Sequence, residues 1–563
     1  MKESPLLVRI VFLLVCATCV LPAAPGYAQP LEERVVEHTL DNGMKFLFVK
    51  RGTAPVFSGV VIVRVGGVDD PQGQSGLAHL FEHMAFKGTP RIGTVDFAAE
   101  QGIMRRIDSV AVLYTQTLAT VPLAHRGALE ALERRTAREV VVANQGSEDY
   151  EITRALANAL AETLRTAPDR YPSLRAYARA KGYLADLQRY TAIHRTFIVK
   201  DEFSRIIDRN GGVDNNAGTG KDYTIYYESF PANRLELWAL LESERFMNPV
   251  MREFYSERDV VAEERRMRTD DDPEGKLYEQ FMATAMQAHP YRIPIVGWMS
   301  EVEKVTAQDA AAFREAYYVP SNTVGVIVGN ISVDSAKAFV DRYFGRIPST
   351  NRRAPEVRTV EPPQAGERRV SVDFDAEPQL MVGYHKPNYP DPDAYVFSVI
   401  ANILRDSGNS SRLYRRLVQT GIASDVAVYE ELPGQRYPNL FVLHASPAAP
   451  HTTGEVEEIL YSELDSLARV PVSEAELTKC KNQLEASYIR EISDNNSLAQ
   501  ALARAQAIHG DWRVVTEHRA NVSKVTADDV MRVAKLYFKP QNRTVAAIVR
   551  ENEQNNGRGR EDQ

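Results

Sequence analysis

The sequence predicts an α+β protein made of two tandem, homologous α/β halves, with a helical insertion in the first half. The main observation is an internal repeat: a Lys-Val-Thr-Ala segment starting at Lys304 returns 220 residues later, starting at Lys524. The register then holds, because Tyr317, Pro320 and Asn322 recur as Tyr537, Pro540 and Asn542. Two further observations are a Pro-rich segment between the copies and similar β-rich runs in both. Chance similarity of two helix–strand connections is the alternative.

Both copies of the repeat predict the same local structure. A threonine, Thr306 or Thr526, followed three residues later by aspartate is typical of a helix N-terminus. The proline of each copy ends that helix, because it has no amide hydrogen to donate. A β-rich run follows at residues 323–328 and again at 544–549.

Other segments complete the two halves. Residues 35–49 predict a β-hairpin turning at Asp41-Asn42-Gly43, and residues 56–65 predict another strand. In the second half, residues 369–374 and 380–384 predict strands.

These segments give the domain boundaries. We place the first half at residues 29–346, a polar, Pro-rich linker at 347–366 and the second half at 367–550. Residues from about 105 to 199 are rich in Ala, Leu and Arg with helical periodicity, and predict an insertion in the first half. The tail at 551–563 contains no apolar residue and is expected to be disordered.

The N-terminus predicts secretion. Lys2 and Arg9 precede an apolar stretch, and a Gly-Tyr-Ala sequence offers a cleavage site after Ala28, so residues 1–28 are predicted to be a signal peptide. An uncleaved anchor and a lipoprotein signal are the alternatives. Only Cys480 remains after cleavage, so no internal disulfide can form. We expect a periplasmic or secreted bacterial protein with no membrane span in the mature chain. Its net charge of -8 does not suggest nucleic-acid binding.

The motif His79-Leu-Phe-Glu82-His83 is the strongest functional signal. On a helix the two histidines lie one turn apart on one face, which is how a helix offers two nitrogens to one zinc ion. Glu82 beside them can accept a proton from a water held on the metal. Ser75 and Gly88 would cap this helix. A chance match between ordinary surface residues is the alternative.

A zinc site needs at least one more protein ligand. Glu257 and Glu264 are seven residues apart and would share one face of a helix with Val260, Val261 and Met267. An exposed, charged helix face is an equally good interpretation of this pattern.

Taken together, the motifs resemble a known family. The H-x-x-E-H motif is followed in order by segments that start at Asn216, Asp222, Glu257, Asp271 and His289. The chain resembles the pitrilysin, insulysin and mitochondrial-processing-peptidase metallopeptidases, most of all the shorter bacterial members. The resemblance implies a LuxS/MPP-like metallohydrolase fold for each of the two halves.

The resemblance also implies roles for individual residues. His79, His83 and Glu264 would bind one zinc ion per chain, with Glu82 as general base and Glu257 as a supporting catalytic acid. Asn216 and Ala217 would hold a peptide substrate that pairs with their strand. Manganese or cobalt could occupy the same ligands. His289 is expected to be structural.

Two departures from the family pattern concern spacing and partners. Glu264 follows His83 by 181 residues, far more than is usual, and the insertion accounts for this length. In the second half, Val418 and Ser424 lie near the places where the family has a substrate-gripping Arg and Tyr. The nearby Arg412 and Tyr414 are given no catalytic role. We therefore expect a homodimer, or a heterodimer with a second family chain that supplies this pair.

The expected function is zinc-dependent endopeptidase action on peptides or unfolded polypeptide segments. A non-catalytic peptide-binding or assembly subunit of a two-chain complex is the alternative, and the intact metal motif argues against it. A processing peptidase with one dedicated substrate would differ only in substrate breadth.

Overall fold

The computed structural model describes residues 30–144, 146–166, 170–349, 353–405 and 410–549. The predicted signal peptide and the predicted disordered tail lie outside these residues. Two mixed β-sheets organise the described chain. The first contains β1 to β6, at Val35–Thr39, Lys45–Lys50, Val56–Val63, Val213–Thr219, Thr224–Pro231 and Thr323–Gly329. The second contains β7 to β11, at Arg368–Val372, Gln379–Lys386, Ala423–Leu432, Asn439–Pro447 and Arg543–Ile548.

The two sheets have the same topology, which confirms the predicted duplication. The strand order is β1-β2-β6-β3-β5-β4 in the first sheet and β7-β11-β8-β10-β9 in the second. The β2–β6 and β7–β11 pairs are parallel, and every other pair is antiparallel. Strand β1 is therefore an addition at the edge of the first sheet, formed by the predicted hairpin.

The repeat is visible at the level of single hydrogen bonds. Thr306 and Thr526 both form capping boxes with the aspartate three residues on. The side-chain amides of Asn322 and Asn542 donate to the carbonyl oxygens of Tyr317 and Tyr537, each at 3.0 Å. Because the same side chains close the same turn in both copies, residues 220 positions apart are structurally equivalent.

Nineteen α-helices surround the sheets within the described residues. In the first half they are α1 to α13, at Leu31–Arg34, Leu77–Met84, Phe97–Ala119, Leu123–Ala143, Asp149–Thr166, Leu174–Arg195, Glu202–Arg209, Leu235–Met247, Phe254–Arg265, Pro273–Ala285, Met299–Val302, Ala307–Tyr317 and Val333–Tyr343. In the second half they are α14 to α19, at Pro392–Leu404, Thr453–Arg469, Glu474–Glu491, Asn495–His509, Val514–Val522 and Ala527–Tyr537.

The halves exchange one helix each. Helix α17 of the second half places Leu498 and Leu502 against the outer face of the first sheet. Helix α10 of the first half places Leu277 and Phe281 against the second sheet. Both sheets are therefore covered on two faces, and each half completes the apolar core of the other.

Helices α3 to α6 form the insertion, beginning at Phe97, earlier than the predicted residue 105. Helices α3 and α6 pack together along their length and are rooted in the first core through Ile107 and Ala111. The four helices also share a small core of their own, which includes Leu129, Leu160 and Tyr177. Residues 353–367, within and just after the predicted linker, contain no helix or strand. None of the described helices is long and apolar enough to span a bilayer.

Candidate metal centre

Helix α2 carries the H-x-x-E-H motif and is amphipathic. Leu77, Leu80, Phe81 and Met84 are at most 1% exposed and pack into the core of the first half. The histidines and Glu82 lie on the opposite side, where the two imidazole ring centres are 4.8 Å apart. Burial of one face thus fixes the orientation of the other.

The predicted caps of this helix are wrong. Gly76, with φ of +86°, occupies the N-cap position, and the Ser75 hydroxyl accepts a hydrogen bond from the Trp298 amide instead. The amides of Gly76 and Ala78 donate to Asp70, at 2.7 and 2.8 Å. The helix ends at Met84 with Ala85 as C-cap, before Gly88. Ser75 does not cap the helix because the Asp70 carboxylate, in the preceding loop, accepts the hydrogen bonds of amides at the start of the helix instead.

The three predicted ligands converge. One donor atom each from His79, His83 and Glu264 lies within 4.8 Å of the other two. A Glu264 carboxylate oxygen is 3.6 Å from His79 Nε2 and 3.8 Å from His83 Nε2. A tetrahedral zinc ion with ligand bonds of about 2.0–2.1 Å holds its ligand atoms about 3.4 Å apart. Two imidazole nitrogens and one carboxylate oxygen at these distances fit zinc, so the donor set is suitable.

The protonation states favour metal binding at His79. Burial first, and then the neighbouring His83 and Arg268, lower the pKa of His79 to about 3, so its imidazole is neutral. Burial also opposes protonation of His83, but the Glu257 and Glu82 carboxylates outweigh it and raise its pKa. Because ligand nitrogens must be deprotonated, cation binding at His83 competes with its protonation.

Helix α9 carries Glu257 and Glu264, but its predicted apolar face is only partly correct. Val261 is fully buried, whereas Val260 is 50% and Met267 is 67% exposed. The reason for Met267 is that the α-helix ends at Arg265 and continues as a π-helical turn at Arg266–Asp270, which changes the phase of the side chains.

Glu257 lies beside the ligands and is not one of them. One of its oxygens is 3.4 Å from His83 Nδ1, and the other is 2.5 Å from Lys87 Nζ. Burial opposes ionisation of Glu257, but His83 and Lys87 prevail and lower its pKa. A carboxylate at the second nitrogen of a ligand histidine fixes the orientation of the ring.

Glu82 points to the same side and is held by a strand residue. The Thr219 hydroxyl at the end of β4 donates to Glu82 at 2.7 Å. Burial raises the pKa of Glu82, and this hydrogen bond works in the opposite direction. A carboxylate with a raised pKa is a stronger base, which suits Glu82 to accept a proton from water.

Strand β4 brings the predicted substrate residues next to α2. Asn216 and Ala217 pair with Tyr227 and Tyr226 of β5, and Asn216 is exposed. Within the described chain, no strand pairs with the other side of β4, because it lies at the edge of the sheet. That edge can accept an extended peptide by strand addition.

The other residues considered from sequence lie apart from the ligands. His289 is buried against Tyr291 and Tyr437, and burial lowers its pKa to about 4. Arg412 pairs with Glu476 inside the second half. In that half Leu477 and Leu484 occupy the positions equivalent to Glu257 and Glu264, so the acidic pair of the metal centre is not duplicated.

Sequence reasoning missed four residues around the site. Lys87 pairs with Glu257, Thr219 binds Glu82, Asp70 caps α2, and Arg268 approaches the free oxygen of Glu264 at 2.7 Å. The contacts of Lys87 and Thr219 join distant parts of the chain, and Asp70 acts from the loop just before α2, so none of the three leaves a periodic signal. The position of Arg268 four residues after Glu264 was the one available hint.

Comparison with known proteins gives a consistent result. The model of the insulinase family, peptidase family M16, matches residues 47–101, and the model of the peptidase M16 inactive domain matches residues 304–484. Zinc protease PqqE of Helicobacter pylori is 29% identical over 355 residues, which are 62% of this chain and 78% of that protein. A probable mitochondrial-processing peptidase subunit beta of Arabidopsis thaliana is 23% identical over 346 residues, 59% of this chain and 64% of its own length.

A solved structure extends the comparison to the fold. The crystal structure of a protease from Helicobacter pylori has a TM-score of 0.69 at 22% sequence identity, covering 92% of this chain and 99% of that one. The first family model ends at residue 101, inside α3, and the second begins at residue 304, so the insertion lies between them. The motif, the duplicated fold and both family models agree in the likeness of this chain to peptidase family M16, the insulinase family.

Proposed function

We propose that this protein is a zinc endopeptidase that hydrolyses peptides or unfolded polypeptide segments, with one zinc ion per chain. The observation that carries the proposal is the convergence of His79, His83 and Glu264 beside Glu82, next to the unpaired edge of β4. When bound, zinc would supply a Lewis acid that polarises the scissile carbonyl and acidifies water.

The residues of the chain then have definite tasks. A peptide lies along β4, with its backbone paired to the strand and held at Asn216 and Ala217. Glu82 takes a proton from the attacking water, whose oxygen bonds to the carbonyl carbon. When the C–N bond breaks, Glu82 returns the proton to the leaving amine nitrogen.

Glu257 and Thr219 keep the reacting groups in place. Glu257 orients the His83 ring through Nδ1, and Thr219 holds the Glu82 carboxylate in place. Displacement of reacting groups by about 1 Å can cost a hundredfold in rate.

We also propose that the protein acts as a pair of chains. Its proposed location is the bacterial envelope or the outside of the cell. Support for pairing is that Val418 and Ser424 lie near the places where the family has Arg and Tyr, which would leave the substrate grip to a partner. Support for the location is the N-terminal sequence alone. A non-catalytic subunit is the competing proposal, and the convergent ligand set counts against it.

The experiment compares residues 29–563 with three variants, measuring bound metal by mass spectrometry and cleavage of a mixed quenched-fluorescent peptide library. Glu82→Gln should retain about one metal ion per chain and lose cleavage. Glu264→Ala should lose both, and Glu263→Ala, on the exposed side of α9, should lose neither. Metal binding without cleavage by any form, alone or mixed with a co-purified partner, favours the non-catalytic subunit. Absence of metal from the wild type refutes the proposed site.

A further inference from the structure

The position of the metal-binding helix depends on a carboxylate in the loop before it. Asp70 accepts hydrogen bonds from the amides of Gly76 and Ala78, one with each oxygen. Gly76 has no space for a side chain, since a Cβ would lie 2.7 Å from the Val296 carbonyl oxygen. His79 follows within the first turn, so the loop that carries Asp70 sets where the ligands project.

The residue next to Asp70 is held by the other half of the molecule. Both oxygens of Asp69 lie 3.0 Å from Nη1 of Arg436, which belongs to the loop between β9 and β10. The two side chains are 1% and 3% exposed, so the pair is almost completely removed from water. A buried ion pair of this kind is costly to break, because each charge then lacks its partner.

The loop around Arg436 reaches a second part of the site. We call residues 433–437 the junction loop. The amides of Gln435 and Arg436 donate to one Asp222 oxygen at 2.6 and 3.1 Å, and the Tyr291 hydroxyl donates to the other at 2.6 Å. Asp222 follows β4 closely, and β4 ends at Thr219, which binds Glu82.

The two anchor points are themselves connected. The amides of Gly67 and Val68 donate to the carbonyl oxygens of Gly220 and Lys221, at 3.1 and 3.0 Å. The loop before α2 and the end of β4 therefore form one unit, and the junction loop of the second half is attached to both of its sides. This is the place where the second half can influence the metal centre without contributing a ligand.

We propose that Arg436 is a positioning residue of the metal centre, acting from the second half through Asp69 on the loop that caps the metal-binding helix. The inference rests on the proposed metal site and assigns the second half a task in building it. Supporting contacts around metal ligands commonly change metal affinity by about 10–100-fold, because they hold the ligands in the bound arrangement.

The chain offers suitable variants. Arg436→Met removes the ion pair, and Arg436→Lys keeps the charge without the planar fork. Gly434→Ala leaves Arg436 intact and displaces the junction loop, since a Cβ there would lie 2.7 Å from the Tyr291 hydroxyl. Arg412→Met is the matched control, because Arg412 is 16% exposed and makes a two-point ion pair with Glu476 inside the second half.

The experiment measures the zinc dissociation constant of the full mature chain by competition with a chromophoric chelator, without substrate. Circular dichroism and the unfolding temperature of the metal-free protein are recorded for each form. We expect Kd to rise about tenfold or more in Arg436→Met and Gly434→Ala, less in Arg436→Lys, and to stay within about twofold in the control.

The outcomes separate this inference from the proposed function. A folded Arg436→Met with a lower unfolding temperature and an unchanged Kd overturns the inference, since the ion pair would then be merely structural. If that variant fails to fold, Gly434→Ala and Arg436→Lys decide by the same criterion. A wild type that binds zinc but cleaves nothing, alone or with its co-purified partner, leaves the inference standing and counts against the peptidase. A wild type that binds no zinc overturns both.

Discussion

Replacement of Thr219 by valine should shift the pH dependence of peptide hydrolysis. The hydroxyl of Thr219 donates to Glu82 at 2.7 Å and therefore stabilises the ionised carboxylate. Valine has nearly the same shape but no donor. Because the general base must be ionised to accept a proton, a less stable carboxylate moves the acid limb of the rate profile to higher pH.

The magnitude follows from the kind of hydrogen bond. A hydrogen bond to a charged group is worth about 1.5–3 kcal/mol, and the lower value applies because Glu82 is only half-buried. At about 1.4 kcal/mol per pKa unit, the acid limb should rise by about one unit. On that limb the rate would fall about tenfold, while the plateau at higher pH stays nearly unchanged.

The assay is kcat/KM for a cleaved library peptide between pH 5 and pH 9, about two units either side of neutrality. Thr219→Ser is the control, because it restores the donor and should restore the profile. An acid limb that stays in place, or a uniform loss of rate at every pH, would refute the role given to Thr219. The former would mean that Glu82 is stabilised by other groups, and the latter that Thr219 only supports the strand.

Three further predictions concern different parts of the molecule. Glu257→Gln should weaken zinc binding about 10–100-fold, because it weakens the contact with His83 Nδ1. Phe281→Ala should lower the free energy of unfolding by about 3–5 kcal/mol, because this fully buried ring of the exchanged helix α10 packs on the second sheet. The stability of the protein should fall as the pH drops from 6.5 to 4: His289, with its pKa lowered to about 4, stays neutral when folded while the unfolded chain takes up a proton.

Each of these predictions has its own control. Glu253→Gln alters another partner of Lys87 without touching His83, and chelator competition should show an unchanged zinc affinity. Met267→Ala, at a site that is 67% exposed, should leave the urea midpoint almost unchanged. His289→Gln should flatten the pH dependence of urea unfolding between pH 4 and 6.5. An equally steep dependence in that variant would assign the effect to other groups.

Much of the fold could be predicted because its signals are local or periodic. The apolar positions of α2 recur at helical spacing, so the chain specifies which side is buried and which side presents the histidines. The capping boxes at Thr306 and Thr526 involve residues three apart, and both are present. The Asn42-Gly43 turn likewise fixes its hairpin within a few residues.

The candidate site was predictable to the extent that it depends on helical spacing. His79, Glu82 and His83 share a turn, and Glu257 and Glu264 share the face of a second helix. What spacing could not predict was the end of that second helix. The π-helical turn after Arg265 places Met267 in solvent, and a periodic pattern assumes that the helix continues unchanged.

The duplicated fold, the metal motif and the likeness to peptidase family M16 could be predicted from the amino-acid sequence, because helical spacing and an internal repeat can be recognised without any tertiary contact. Three features required the folded chain: which helix covers which sheet, the support of Glu82 by Thr219, and the contact of Arg436 with Asp69 across 367 residues. Such contacts are set by the packing of whole elements. The partners of a buried ion pair or hydroxyl depend on the side chains packed around them. That environment forms only when the two halves have folded together.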